Sequence, residues 1–241
     1  MRAGSSTGAQ PQEKAATRGL FFFHTPMSDS KLRAVIGLGN PGEEYARTRH
    51  NAGFWLVEQI AAAQRPGFRH EAKFQGELAR VTLDGAELLL FKPMTFMNRS
   101  GEPVQKLAQF YKLAPTDLLI AHDELDLPAG TARLKAGGGH GGHNGLRSLH
   151  QNLGADYLRL RIGIGHPGHK DLVHSYVLGR AGKADEQAIN DALIAAAAAI
   201  PVWLTQGWDK ASKQLHTDPA KLPQKKTAPD TNGNSGDSSK P

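Results

Sequence analysis

A strand-to-helix passage near the N-terminus restricts the fold more than any other feature of this chain. Arg33–Leu38 ("RAVIGL") is an apolar run too short for a stable helix, and it contains the β-branched Val35 and Ile36. The turn "GNPG" ends it. Phe54, Val57, Ile60 and Ala61 then recur at helical spacing, with Thr48 placed to cap that helix. A continuous apolar strand followed by a helix is the unit of α/β sheets, where helices cover both faces. The pattern repeats downstream. Glu77–Leu83 and Glu87–Phe91 flank Asp84-Gly85, a strong hairpin signal. Ser100 is placed to cap a helix running to Tyr111, with Leu107, Phe110 and Tyr111 facing inward. Asp117–Ala121, Thr131–Lys135 and Leu158–Ile164 read as further strands, and Ala184–Thr205 as a long helix that Pro201 should bend or interrupt. One hairpin among alternating strands and helices predicts a single α/β domain with a twisted mixed β-sheet flanked by helices.

That domain spans residues 31–216. Residues 1–30 and 217–241 are poor in apolar periodicity and are expected to be disordered, and Met27 is a candidate for the natural start. The absence of cysteine removes thiolate catalysis and Cys-ligated zinc and fits a reducing compartment. The longest apolar run, "ALIAAAAAI" at 192–200, is too short to span a bilayer, and "RGLFFFHTPMS" lacks the apolar region and cleavage site of a secretory signal. A formal charge of +6 favours a polyanionic partner, though only weakly.

The turn after the first strand is a literal G-x-G-x-x-G, Gly37 to Gly42, the form of a dinucleotide fingerprint. Pro41 removes a donor where a phosphate would need one, no helix can start before Thr48, and no second strand ends in an acidic residue about 20 residues on. The cofactor reading is rejected. What remains is Asn40 at the C-terminal end of a strand, where ligands bind in open α/β sheets, or simply a turn. Asp123 follows another strand, and His50 stands at the start of a helix, whose dipole would favour neutral imidazole. A neutral His propped by a carboxylate is a competent general base. Asn98 and Asn144 are amides able to grip carbonyls and hydroxyls, or else helix caps. Asp123 has a bland alternative too, a solvated acidic patch with Glu124 and Asp126.

"GGGHGGHNG", 137–145, holds six glycines in nine residues and reads as a binding loop or lid. His140 and His143 within it raise the question of a metal held with His50, His122 and Asp123, but their spacing fixes no geometry. Lys135 and Arg161 suit phosphate contacts, with exposed strand-edge charges as the alternative. The basic residues lack the aromatic interleaving that stacks single-stranded bases, which leaves a non-catalytic backbone-binding role as a further rival.

Four blocks carry a family resemblance: "VIGLGNPGEEYARTRHNAGFWLV", "PMTFMNRSG", "AHDELDLPAGTARLKAGGGHGGHNGLRSL" and "LRLRIGIGHPG". Together they closely resemble the bacterial peptidyl-tRNA hydrolases, over about Lys31 to His216. The resemblance implies a cytoplasmic, monomeric α/β enzyme that cleaves the ester between a peptide and the 3′ end of tRNA. It implies His50 as general base, Asp123 as its orienting carboxylate and Asn40 as an oxyanion donor. Asn98 and Asn144 would position substrate and water, while Tyr45, Phe96, Met97 and His143 would line the peptide or 3′-end channel. Lys135 and Arg161 match the pair that grips the tRNA 5′-phosphate. No metal, no cofactor and no membrane partner is implied.

Overall fold

Val35 and Ile36 are both fully buried because the strand that carries them has helices over each of its faces. A computed structural model describes residues 31–65 and 67–217. The expectations for residues 1–30, for Met27 and for 218–241 lie outside the described residues.

The elements run β1 (Arg33–Gly37), α1 (Ala52–Ala62), β2 (Arg69–Glu71), β3 (Gly76–Leu83), β4 (Ala86–Pro93), α2 (Gly101–Tyr111), β5 (Leu118–Glu124) and β6 (Ala132–Ala136). They continue with α3 (Asn144–Leu153), β7 (Leu158–Gly163), α4 (Val173–Val177), α5 (Lys183–Gln206) and α6 (Trp208–His216). One seven-stranded sheet has the order β2-β3-β4-β1-β5-β7-β6. Its centre is parallel, β1 lying between β4 and β5, and β5 beside β7. The margins, β2–β3–β4 and β6–β7, are antiparallel. This is the predicted mixed sheet. Asp84 and Gly85 both take positive φ, 47° and 80°, as a two-residue hairpin turn requires. Leu56 and Val57 of α1, Leu193 and Ile200 of α5 and Leu215 of α6 pack on one face, and Val104 and Leu107 of α2 with Leu146 and Leu149 of α3 pack on the other.

The glycine pattern after β1 acquires a packing explanation. A Cβ on Gly37 would collide with the backbone of Gly53 in α1, and one on Gly39 with the ring of Phe54, while Gly42 sits at φ 108°. Each glycine lets α1 approach β1 or lets the chain turn.

Several local expectations are corrected. Thr48 caps nothing: its hydroxyl donates to the Tyr45 carbonyl at 2.8 Å, and a 3-10 turn over Arg49–Asn51 precedes α1. Ser100 likewise donates back to the Met97 carbonyl at 3.0 Å, and the first N–H of α2, on Gly101, is satisfied by Ser148 Oγ of α3 at 2.9 Å. Phe110 does not face inward. It is 58% exposed and packs on Phe74 with Lys73 over its ring, whereas Leu107 takes the core-facing position. Asp117 belongs to a 3-10 turn, where it accepts from the Ala114 N–H at 2.9 Å, and β5 extends instead to Glu124. Helix α5 runs through Pro201 without interruption, held on the sheet by buried Leu193, Ala196, Ile200 and Trp203. Its length and composition alone would suffice to cross a bilayer, but this burial is that of a core helix. Strand β2 and helix α6 were not legible: β2 has three residues and no apolar alternation.

Candidate active site

The parallel strands β1, β5 and β7 deliver their C-terminal ends to one edge of the sheet, where loops cannot continue the ladder and a cleft opens. A cavity of about 1190 Å³ lies there. Asn40 enters it from the loop after β1, His50 from the turn before α1, Asp123 from the end of β5, and His143 from the glycine loop between β6 and α3. Residues 10 to 103 positions apart in sequence line one cavity.

His50 Nδ1 donates to Asp123, 2.9 Å from Oδ1 and 3.0 Å from Oδ2. The imidazole is 8% exposed and the carboxylate 4%, so Asp123 is no member of a solvated patch. His143 Nε2 reaches the same Oδ1 at 2.9 Å. Its tautomer is fixed from the other side, because Nδ1 accepts the Gly145 and Leu146 N–H groups at 3.1 and 3.3 Å and so caps α3. His143, and not Asn144, is therefore the helix cap. Burial alone would raise the Asp123 pKa, but the two histidines outweigh it and hold the carboxyl well below its usual range. For His50, burial pushes the pKa down, yet the charge and hydrogen bond of Asp123 win and leave it above the ordinary value. The helix-dipole expectation for His50 is thus overturned in direction: a full charge at hydrogen-bond distance exceeds a helix-end partial charge. Among the described residues His50 Nε2 has no hydrogen-bond partner, and His50 lines the cavity.

His122, beside Asp123, donates through Nδ1 to the Asp123 carbonyl at 2.8 Å, and its buried Nε2 has no protein partner. Burial first, and His143 second, push its pKa down to about 3, so it stays neutral. It does not join the other histidines around the carboxylate. His140 is also apart, its ring against His150 at 5.7 Å.

Asn40 is held by a residue that sequence reasoning passed over. Asn51 brackets it, its Oδ1 accepting the Asn40 N–H and its Nδ2 donating to the Asn40 carbonyl, both at 2.9 Å. The Asn40 side-chain oxygen accepts the Met97 N–H at 2.8 Å. A backbone N–H can only donate, so this bond fixes the amide with its NH₂ directed away from Met97. The result is a buried, preset donor beside His50.

The family model described as peptidyl-tRNA hydrolase matches residues 34–225. The chain belongs to the peptidyl-tRNA hydrolase family. It is 50% identical over 187 residues to the peptidyl-tRNA hydrolase of Neisseria meningitidis serogroup B, covering 77% of this chain and 97% of that protein. With that of Halorhodospira halophila it shares 51% over 189 residues, covering 78% and 97%. A crystal structure of peptidyl-tRNA hydrolase from Acinetobacter baumannii superposes with a TM-score of 0.75 at 46% identity, covering 77% of this chain and 95% of that one. Membership makes this chain a hydrolase.

The remaining residues singled out by the peptidyl-tRNA hydrolase resemblance occupy the rest of the cavity, with one exception. Phe96, Met97, Asn98 and Asn144 line it; Phe96 is 57% exposed and Met97 is buried. Tyr45 does not line it, and instead meets the Phe96 ring edge-on at 6.3 Å. Neither asparagine caps a helix; Asn144 Oδ1 accepts from Arg147 at 3.1 Å. Lys135 and Arg161 also line the cavity. Register pairs Lys135 with Arg159 and Arg133 with Arg161, so all four cations project from one face of β6–β7. Arg161 Nε donates to Glu124 at 2.8 Å, an ion pair that leaves its two terminal nitrogens for another acceptor. The period-2 spacing of Arg159 and Arg161 in "LRLRIG" was the available signal for this basic face; nothing in the sequence marked Asn51 or Glu124.

Proposed function

We propose that this chain hydrolyses the ester joining a peptide, or an N-blocked aminoacyl group, to the 3′ end of tRNA in the cytoplasm, with His50 as a metal-independent general base. The observation that carries the reading is the buried Asp123–His50 pair, 2.9 Å apart, opening with an unpartnered Nε2 onto a cavity that Asn40 shares. Water beside Nε2 gives up its proton to the ring as its oxygen attacks the ester carbonyl carbon. The carbonyl oxygen, now negative, receives a hydrogen bond from the Asn40 NH₂. Collapse expels the ribose oxygen, which takes the proton back from His50. One positioned base and one preset oxyanion donor each contribute roughly a hundredfold or more. An activated aminoacyl ester needs no covalent nucleophile. Lys135 and Arg161 hold a terminal phosphate, Asn98 and Asn144 orient the substrate and the water, and Phe96 with Met97, flanked by Tyr45, receives the peptide side.

A metal-assisted reading draws on the same cluster, since one nitrogen from each of His50 and His143 lies within 4.8 Å of an Asp123 oxygen. Those two nitrogens already carry protons donated to Asp123, and His143 Nδ1 is engaged by backbone amides. A cation there would have to displace both protons and uncap α3. The deciding assay is turnover of a defined N-blocked aminoacyl-tRNA beside its unblocked counterpart, before and after exhaustive chelation. Cleavage of the blocked substrate, unchanged by chelation, is expected; loss of turnover restored by a divalent metal would replace the reading.

A further inference from the structure

Arg159 is 3% exposed and has no carboxylate within ion-pair distance among the described residues. Burying a guanidinium without a counter-ion is costly unless its N–H groups are satisfied. Here NH1 donates to the Gly139 carbonyl at 2.6 Å, and NH2 donates to the Gly138 carbonyl and to His150 Nε2, the latter at 3.1 Å, while the buried Nε has no partner among the described residues. The guanidinium also lies 5.0 Å from the centre of the Tyr157 ring. Arg159 borders the same cavity as Lys135 and Arg161, but its two forked nitrogens are spent on two backbone oxygens and on His150, whereas the terminal nitrogens of Arg161 have no partner among the described residues.

The segment it grips has little else to hold it. Gly137, Gly138, Gly141 and Gly142 take φ of 57°, 105°, 55° and 82°, conformations that side chains disfavour and that glycine leaves entropically loose. The loop is tied at its start by the Gly137 N–H to the Tyr157 carbonyl at 3.1 Å, and at its end by His143 on Asp123 at 2.9 Å. Three residues separate Gly139 from His143, whose ring bonds the Asp123 carboxylate.

We infer that Arg159 is a positioning residue for hydrolysis: its guanidinium fork latches the glycine loop through the carbonyls of Gly138 and Gly139, and thereby keeps His143 against Asp123. The inference rests on the hydrolytic reading of the site, but the latch itself has a separate readout. Arg159→Met removes the fork, and Arg159→Lys keeps a cation while offering no planar pair of donors. Amide hydrogen exchange across 137–145 is expected to accelerate at least tenfold in both variants. With N-blocked aminoacyl-tRNA, kcat is expected to fall about tenfold with KM within twofold. Adding His143→Ala to Arg159→Met should cost little more than the larger single loss, because both changes release the same contact. Unchanged exchange in Arg159→Lys overturns the latch even if Arg159→Met does not fold. A rise in KM alone, or losses that multiply, would make Arg159 a substrate contact or an independent one and also overturn it. If the wild-type chain shows no turnover, the hydrolytic reading fails, and the exchange comparison still decides the latch.

Discussion

The two ends of the cavity are built on opposite plans. At the β1–β5 end, His50, Asp123 and Asn40 are 8%, 4% and 7% exposed; both Asp123 oxygens, His50 Nδ1 and the Asn40 side-chain oxygen are bonded, which leaves His50 Nε2 and the Asn40 NH₂ without a partner among the described residues. At the β6–β7 end, Lys135 is exposed, Arg161 is half-buried, and the terminal nitrogens of Arg161 are uncommitted. On the proposed reading, the enclosed end presets donors and a base before substrate arrives, which is where electrostatic stabilisation of a transition state is strongest. On the same reading, the open end offers solvent-accessible cations suited to a phosphate, whose affinity is salt-dependent and carries no base information. Chemistry and grip are thus separable, and substitutions should divide accordingly.

The largest effect tests the enclosed end. His50→Gln is expected to lower kcat by roughly a hundredfold to ten-thousandfold, while tRNA affinity, measured by titration, stays within about twofold. Activity near wild type in that variant would break the division at its root. Asp123→Asn comes next. Since His50 must be neutral to act and its pKa lies above the ordinary value through Asp123, wild-type kcat/KM should fall as pH drops through a value above 6.5. Removing the charge leaves burial unopposed, so the acid limb should move below 6.5 while the plateau falls about a hundredfold. An acid limb that stays put would detach Asp123 from His50. The same raised pKa makes the stability contribution of a protonated His50 full below its unfolded value near 6.5 and lost as pH climbs through the folded one. The smallest effect tests the open end. Lys135→Ala should raise KM for tRNA-linked substrate about tenfold and steepen no pH limb, while turnover of a minimal N-blocked aminoacyl nucleotide ester is unchanged. Equal losses on both substrates would erase the distinction between the ends.

Legibility followed the range of the interactions. Strands β1, β4 and β5 were readable because burial on both faces writes an apolar run into adjacent residues, and β7 because its apolar and polar residues alternate. Strand β2 and helix α6 were not, since β2 is short and largely exposed and α6 buries only Ala211 and Leu215. Caps failed for a related reason. Thr48 and Ser100 are correct cap residues by type, but their hydroxyls bond the carbonyls three residues back, and the tertiary structure gave the N–H of Gly101 to Ser148.

By itself the sequence determined the alternation of strands and helices, the mixed sheet, and the residue types able to act as base, carboxylate, amide donor and cation, because those follow from periodicity and from functional-group chemistry. Only the tertiary structure decided which of them meet. It set Asp123 between His50 and His143, raised the His50 pKa where local reasoning lowered it, turned the Asn40 amide through Met97 and Asn51, and buried Arg159 under the glycine loop. Contacts between residues tens of positions apart depend on strand order and helix packing, and no local pattern encodes their distance or direction.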